Sequence, residues 1–107
     1  LTDKPAVIAA HGDVDIDSLG PLQDELGSAA ASHRTVILDA SDITFCDSSF
    51  LNLLLHIHQA TTLRIAAPSE PVRRLLEVTG VDRVMNLHPT TDAARAATAG
   101  TRLPLTR

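Results

Sequence analysis

The chain has almost no aromatic residues. Phe45 and Phe50 are the only Phe, Trp or Tyr residues among 107. Sites for single-stranded nucleic acid rely on aromatic stacking platforms, and the formal charge of -4 gives no long-range attraction to a polyanion. Nucleic acid is therefore not an expected partner. Cysteine is equally scarce. Cys46 stands alone, forms no internal disulfide, and lies in the apolar run "ITFC", where a buried, inert thiol is expected. No stretch approaches the roughly 20 apolar residues of a spanning helix. The opening "LTDKPAVIAA" lacks the basic flank and long apolar run of a signal peptide. A cytoplasmic location, with no membrane partner, is the expectation.

What the chain does have is aliphatic. Leu, Val, Ile and Ala must build the core, and a single domain of this length buries roughly two-thirds of its unfolded surface. "PAVIAAHG" (5–12) reads as a strand stopped by Gly12. "SLGPLQDELGSAAAS" (18–32) reads as a helix capped by Asp17 or Ser18, with Pro21 in its first turn and Leu19, Leu22 and Leu26 on one stripe. "TVILDA" (35–40) is a nearly unbroken aliphatic run, the mark of a strand covered on both faces. A helix follows "DSS", "LRIAA" (63–67) is the next strand, and a helix over 70–80 closes at Gly80. "RVMNLH" (83–88) is read as the final strand and 90–99 as the final helix, capped by Thr90 or Thr91. Before residue 5 there is space for no more than a stub of another strand. This alternation predicts an α/β fold: one small domain with a mostly parallel or mixed sheet of about four to five strands and about four helices.

Three kinds of catalytic chemistry are considered and set aside. Asp13, Asp15 and Asp17 alternate after a strand, as carboxylates that converge on Mg²⁺ do. No Gly-rich phosphate loop or helix-borne lysine accompanies them, Lys4 being the sole lysine, so a polar strand end with a helix cap explains them better. His56 and His58 stand two apart on a helix and point to different faces, while His11, His33 and His88 sit at strand ends or loops. A serine hydrolase would use Ser48 or Ser49, but the strained nucleophile elbow needs small residues two positions either side, and Ser48 has Cys46 and Phe50 there. No metal, cofactor or enzymatic activity is expected.

"DSS" at 47–49 has a simpler use. Asp47 or Ser48 can accept hydrogen bonds from the unpaired N–H groups that open a helix. The helix itself is unusual. Phe50, Leu51, Leu53, Leu54, Leu55, Ile57 and Ala60 cover more than half of its circumference, leaving Asn52, His56 and Gln59 as its polar stripe. A helix on one sheet face needs an apolar arc of only about 100° or somewhat more. The surplus serves either packing on neighbouring helices or an exposed binding rim, which suits a homodimer as well as a foreign partner.

These segments resemble the STAS domains of bacterial anti-sigma factor antagonists. "VILDASDITFCDSSFLNLLL" is similar to the family's aliphatic strand, acidic link and helix-opening "DSSG" or "DSTG". "GDVDIDSLGPLQDEL" resembles its "GELD" turn and first helix, and "PSEPVRRLLEVTGVDRVMNLHPTTDAA" its downstream half. The likeness runs from about residue 5 to 97, with the family's first strand short or missing. It implies a domain over 1–100 followed by a flexible tail over 101–107. It also implies a switch without catalysis of its own. The unphosphorylated form would bind an anti-sigma factor with serine kinase activity and so release a sigma factor. Phosphorylation at Ser48 would end that binding, and a PP2C-type phosphatase would reset it. The implied partner-binding residues are Asp15, Asp47, Ser48, Ser49, Phe50, Leu51 and Asn52. The pattern departs at Phe50 and Asn52, where the family has glycine. A ring at residue 50 is expected either to block a partner's backbone or to anchor the interface.

Overall fold

The computed structural model describes residues 2–100, with side chains through residue 97. The tail expected over 101–107 lies outside the described residues. Four strands, β1 (Ala6–Val14), β2 (Thr35–Cys46), β3 (Thr62–Ala66) and β4 (Asn86–His88), alternate with four helices, α1 (Gly20–Ser32), α2 (Ser48–Ala60), α3 (Glu70–Thr79) and α4 (Thr91–Gly100). The sheet is parallel throughout in the order β1-β2-β3-β4. A single parallel bridge between Thr2 and His33 is the stub ahead of β1.

The core follows from the period of two along β2. Val36, Leu38 and Ala40 join the main cluster with Leu22 and Leu26 of α1, Phe50 and Leu54 of α2, and Val72 and Leu76 of α3. Ile37 points the other way and meets Ala66 and Ala94, so α4 covers the opposite face. Both faces of β2 are covered, which is why its sequence is continuously apolar at the start.

Four boundaries differ from the sequence expectations by two residues or more, each for a local reason. β1 does not stop at Gly12 but continues to Val14, because glycine adopts φ +75 there without strain. β2 does not stop at residue 40. It runs to Cys46 through two places where it carries one more residue than β1, after Asp39 and after Ile43. The second bulge sets Phe45 opposite exposed Asp13 and turns its ring outward. α1 begins at Gly20, not Ser18, and has no side-chain cap, because Ser18 is used by the preceding turn. The last strand is only Asn86–His88, since Val81–Arg83 form a 3₁₀ turn after the left-handed Gly80. The caps at Gly80 and Thr90 are as expected: Gly80 has φ +79, and Ala93 N–H donates to Thr90 Oγ1 at 3.0 Å.

Candidate functional site

Two strand ends lie side by side at one edge of the sheet. Val14 pairs with Cys46, so Asp15 and Asp47, each the next residue, leave neighbouring parallel strands together. Spacing between such strands is about 4.8 Å. The "DVD" turn and the "DSS" turn are thus brought together by register although 32 residues apart in Asp15-to-Asp47 numbering.

The two aspartates then behave differently. Asp47 is the cap of α2. Its Oδ1 accepts from Ser49 N–H at 2.9 Å and from Phe50 N–H at 3.4 Å, and its carbonyl accepts from Leu51 N–H at 3.2 Å. That resolves which residue of "DSS" caps the helix. Ser48 is the first helical residue, exposed, and its hydroxyl has no hydrogen-bond partner among the described residues. Ser49 is half-buried beside it. Asp15 closes its own turn instead, accepting at Oδ1 from Asp17 N–H at 3.0 Å, Ser18 N–H at 3.1 Å and the Ser18 hydroxyl at 2.9 Å. The Ser18 hydrogen bond, helped by the backbone donors, holds the Asp15 carboxyl below the usual carboxylate range.

Phe50 does not do what the sequence led us to expect of it at the surface. Its ring is 0% exposed and packs in the main cluster, so it neither obstructs nor anchors anything outside. Leu51 is buried as well. The physical reason is the helix period: Phe50, Leu54 and Ile57 share the stripe that faces the sheet. Much of the surplus apolar arc is absorbed by packing, with Leu53 buried, Leu55 half-buried and α2 lying against α1.

The expected residues that do share a surface are Asp15, Asp47, Ser48, Ser49 and Asn52. Ser49 and Asn52 line a groove of about 420 Å³ with Ile16, Leu19, Leu53 and His56. Ile16 was not foreseen. It is 74% exposed at the tip of the turn. Its signal was present in "DVDIDS", where an aliphatic side chain sits in a turn that otherwise favours polar residues. Asp13 is engaged elsewhere, accepting from Thr44 Oγ1 at 2.9 Å. No group of three or more His, Cys, Asp or Glu side chains is placed to hold a metal among the described residues. Cys46 is half-buried rather than buried, and burial, with the adjacent Asp47 charge, pushes its thiol up, away from the reactive thiolate.

A family model described as "Mlab, STAS domain" matches residues 1–89. The chain is a STAS domain. The fold agrees. A crystal structure of an anti-sigma factor antagonist from Mycobacterium paratuberculosis superposes with a TM-score of 0.82 at 26% identity, covering 92% of this chain and 89% of the other. The anti-sigma factor antagonist SpoIIAA in its unphosphorylated form gives 0.73 at 20% identity, covering 92% of each. The STAS domain of a SulP transporter from Vibrio cholerae gives 0.67 at 18% identity, covering 98% and 88%. None of the curated proteins matches the sequence. No helix of this STAS domain is long and apolar enough to cross a membrane among the described residues.

Proposed function

We propose that this STAS domain is an anti-sigma factor antagonist controlled by phosphorylation at Ser48. In its unphosphorylated form it binds an anti-sigma factor that is also a serine kinase, through Asp15, Asp47, Ser48, Ser49 and Asn52, and a PP2C-type phosphatase restores that form. One observation carries the reading: Asp47 does the capping, so the exposed Ser48 hydroxyl is left with no structural task. A phosphate there adds about -1.5 to -2 charge. At the first turn of α2 it meets the positive end of the helix dipole, a gain of about 0.3–1 kcal/mol, so the domain tolerates it. In an interface beside Asp47 the same charge is repelled and poorly solvated. Truncated or unpaired buried charges in interfaces cost about 2–5 kcal/mol, roughly 30- to several thousand-fold in affinity.

The test is affinity capture from the native lysate with wild type and Ser48→Asp as parallel baits. Capture of an ATPase-type anti-sigma factor by wild type alone supports the reading, and equal capture by both overturns it. A second reading has its own support. The family model takes its name from Mlab, and a transporter's STAS domain shares the fold. On that reading the domain is an unswitched module of a larger regulator or transporter. Equal capture of such an assembly by both baits, with membrane or sensor segments in the full reading frame, favours it.

A further inference from the structure

Charge is divided unevenly along the chain. From Pro5 to Leu63 there are eight Asp or Glu side chains and a single basic one, Arg34. Arg34 precedes β2, at the far end of that strand from Asp47, and it pairs with Asp3 at 2.9 Å. The turn before α1, α1 itself and α2 therefore contain no Lys or Arg. Asp15, Asp17, Asp24 and Asp47 have no ion-pair partner among the described residues. α3, which flanks the end of β2, is the opposite case. Its Glu70, Arg73, Arg74 and Glu77 satisfy one another.

An apolar path runs through this acidic surface. The groove that holds Ser49 and Asn52 shares Gln23, Leu53 and His56 with a second groove, of about 450 Å³, so the two form one channel between α1 and α2. Ile16 stands at one end of the channel and Asp24 lies along it. The turn that carries Ile16 is closed from both sides. Besides the three bonds to Asp15 Oδ1, the Asp15 N–H donates to the Ser18 hydroxyl and the Ser18 N–H to the Asp15 carbonyl, each at 3.1 Å. Its exposed apolar side chain is thus set in place before anything binds, and a partner that packs on it loses little to ordering. Charge decides what that partner is. A second copy would bring the same unpaired aspartates, whereas a surface bearing Lys or Arg would meet them favourably.

We infer that the partner of the Ser48 site docks on the α1–α2 side of the motif, with Ile16 as its apolar anchor, and meets Asp17 and Asp24 with Lys or Arg side chains. The inference rests on the reading of this domain as an anti-sigma factor antagonist, and it fixes where on the domain that factor sits. The basic side chains belong over Asp17 and Asp24 rather than over Ser48, because a cation placed there would welcome the phosphate that is meant to end binding. The test adds three baits to wild type and Ser48→Asp in the lysate capture, with the ATPase-type anti-sigma factor quantified by mass spectrometry. Ile16→Ser should capture at least about tenfold less of it than wild type. Its side chain is already in solvent, so the fold should survive, as circular dichroism of the same bait would show. Asp17→Lys combined with Asp24→Lys should also weaken capture. Wild-type capture should fall as salt rises from about 50 to about 500 mM, and the double variant should lose most of that dependence. Val78→Ser, an equally exposed apolar position on α3, should capture as wild type does. If Ile16→Ser captures as well as wild type while Ser48→Asp captures none, the inference is overturned and the antagonist reading stands. Loss in Val78→Ser with retention in Ile16→Ser moves the partner to the α3 side and overturns it too. A wild-type bait that captures no ATPase-type anti-sigma factor overturns both.

Discussion

The starts of α1 and α2 are built from similar parts and reach opposite ends. Each follows a strand, each strand leads into an aspartate, and the strands end side by side at Val14 and Cys46. Before α2 the aspartate turns directly into the helix and caps it. Before α1 it folds back on its own turn through Ser18, and the helix starts later at Gly20 with no side-chain cap. Position decides the outcome. Asp47 is immediately ahead of the helix, within reach of the N–H groups of Ser49 and Phe50. Asp15 stands five residues ahead of Gly20, where the nearest free donors belong to Asp17 and Ser18. The lesson concerns the serines. Ser18 is consumed by its aspartate, whereas Ser48 is released by one.

The largest effect that sharpens this contrast comes from what holds α2 in place. Phe50→Ala removes a fully buried ring and should cost about 3–5 kcal/mol in urea unfolding. Next is the cap. Asp47→Ala should cost about 0.5–2 kcal/mol, while Ser48→Ala should stay within about 0.5 kcal/mol. Equal losses for those two would make Ser48 the cap and break the comparison. The smallest effect belongs to the other turn and shows in acid. The Asp15 carboxyl titrates lower in the fold than in the unfolded chain. Its stabilisation is therefore complete above the ordinary carboxylate value of about 3.9 and is lost as pH falls below it. Asp15→Asn should lower the melting temperature of the domain slightly at neutral pH, flatten its fall in that acid window, and differ little from wild type below it.

Much of this was legible in the sequence because aliphatic runs and helix periods report burial directly. "TVIL" announced a strand covered on both faces, and Gly80 announced a helix end. The alternating order of elements led to the parallel sheet. The departures share one physical source: features that depend on a partner across the sheet. The bulges in β2 are visible only against β1, and they both lengthen the strand and turn Phe45 out. Asp17 and Ser18 read as caps because their competitor, the Asp15 turn, is a matter of three-dimensional hydrogen bonding. An apolar arc around α2 could be counted, yet counting could not say that Phe50 would face inward while Ile16, in a different element, would face out.

The parallel pairing has a consequence for how the serine is encountered. Residue 6 pairs with 36, 35 with 62 and 64 with 86, and no pair of strands is joined by a hairpin. Each contact closes a long loop, a topology in which local segments gain little until distant ones arrive. A synthetic peptide spanning the "DSS" motif would lack β1 on one side of β2 and β3 on the other. It would display the letters of the motif without its shape, so the kinase proposed above would have to read Ser48 on the finished domain.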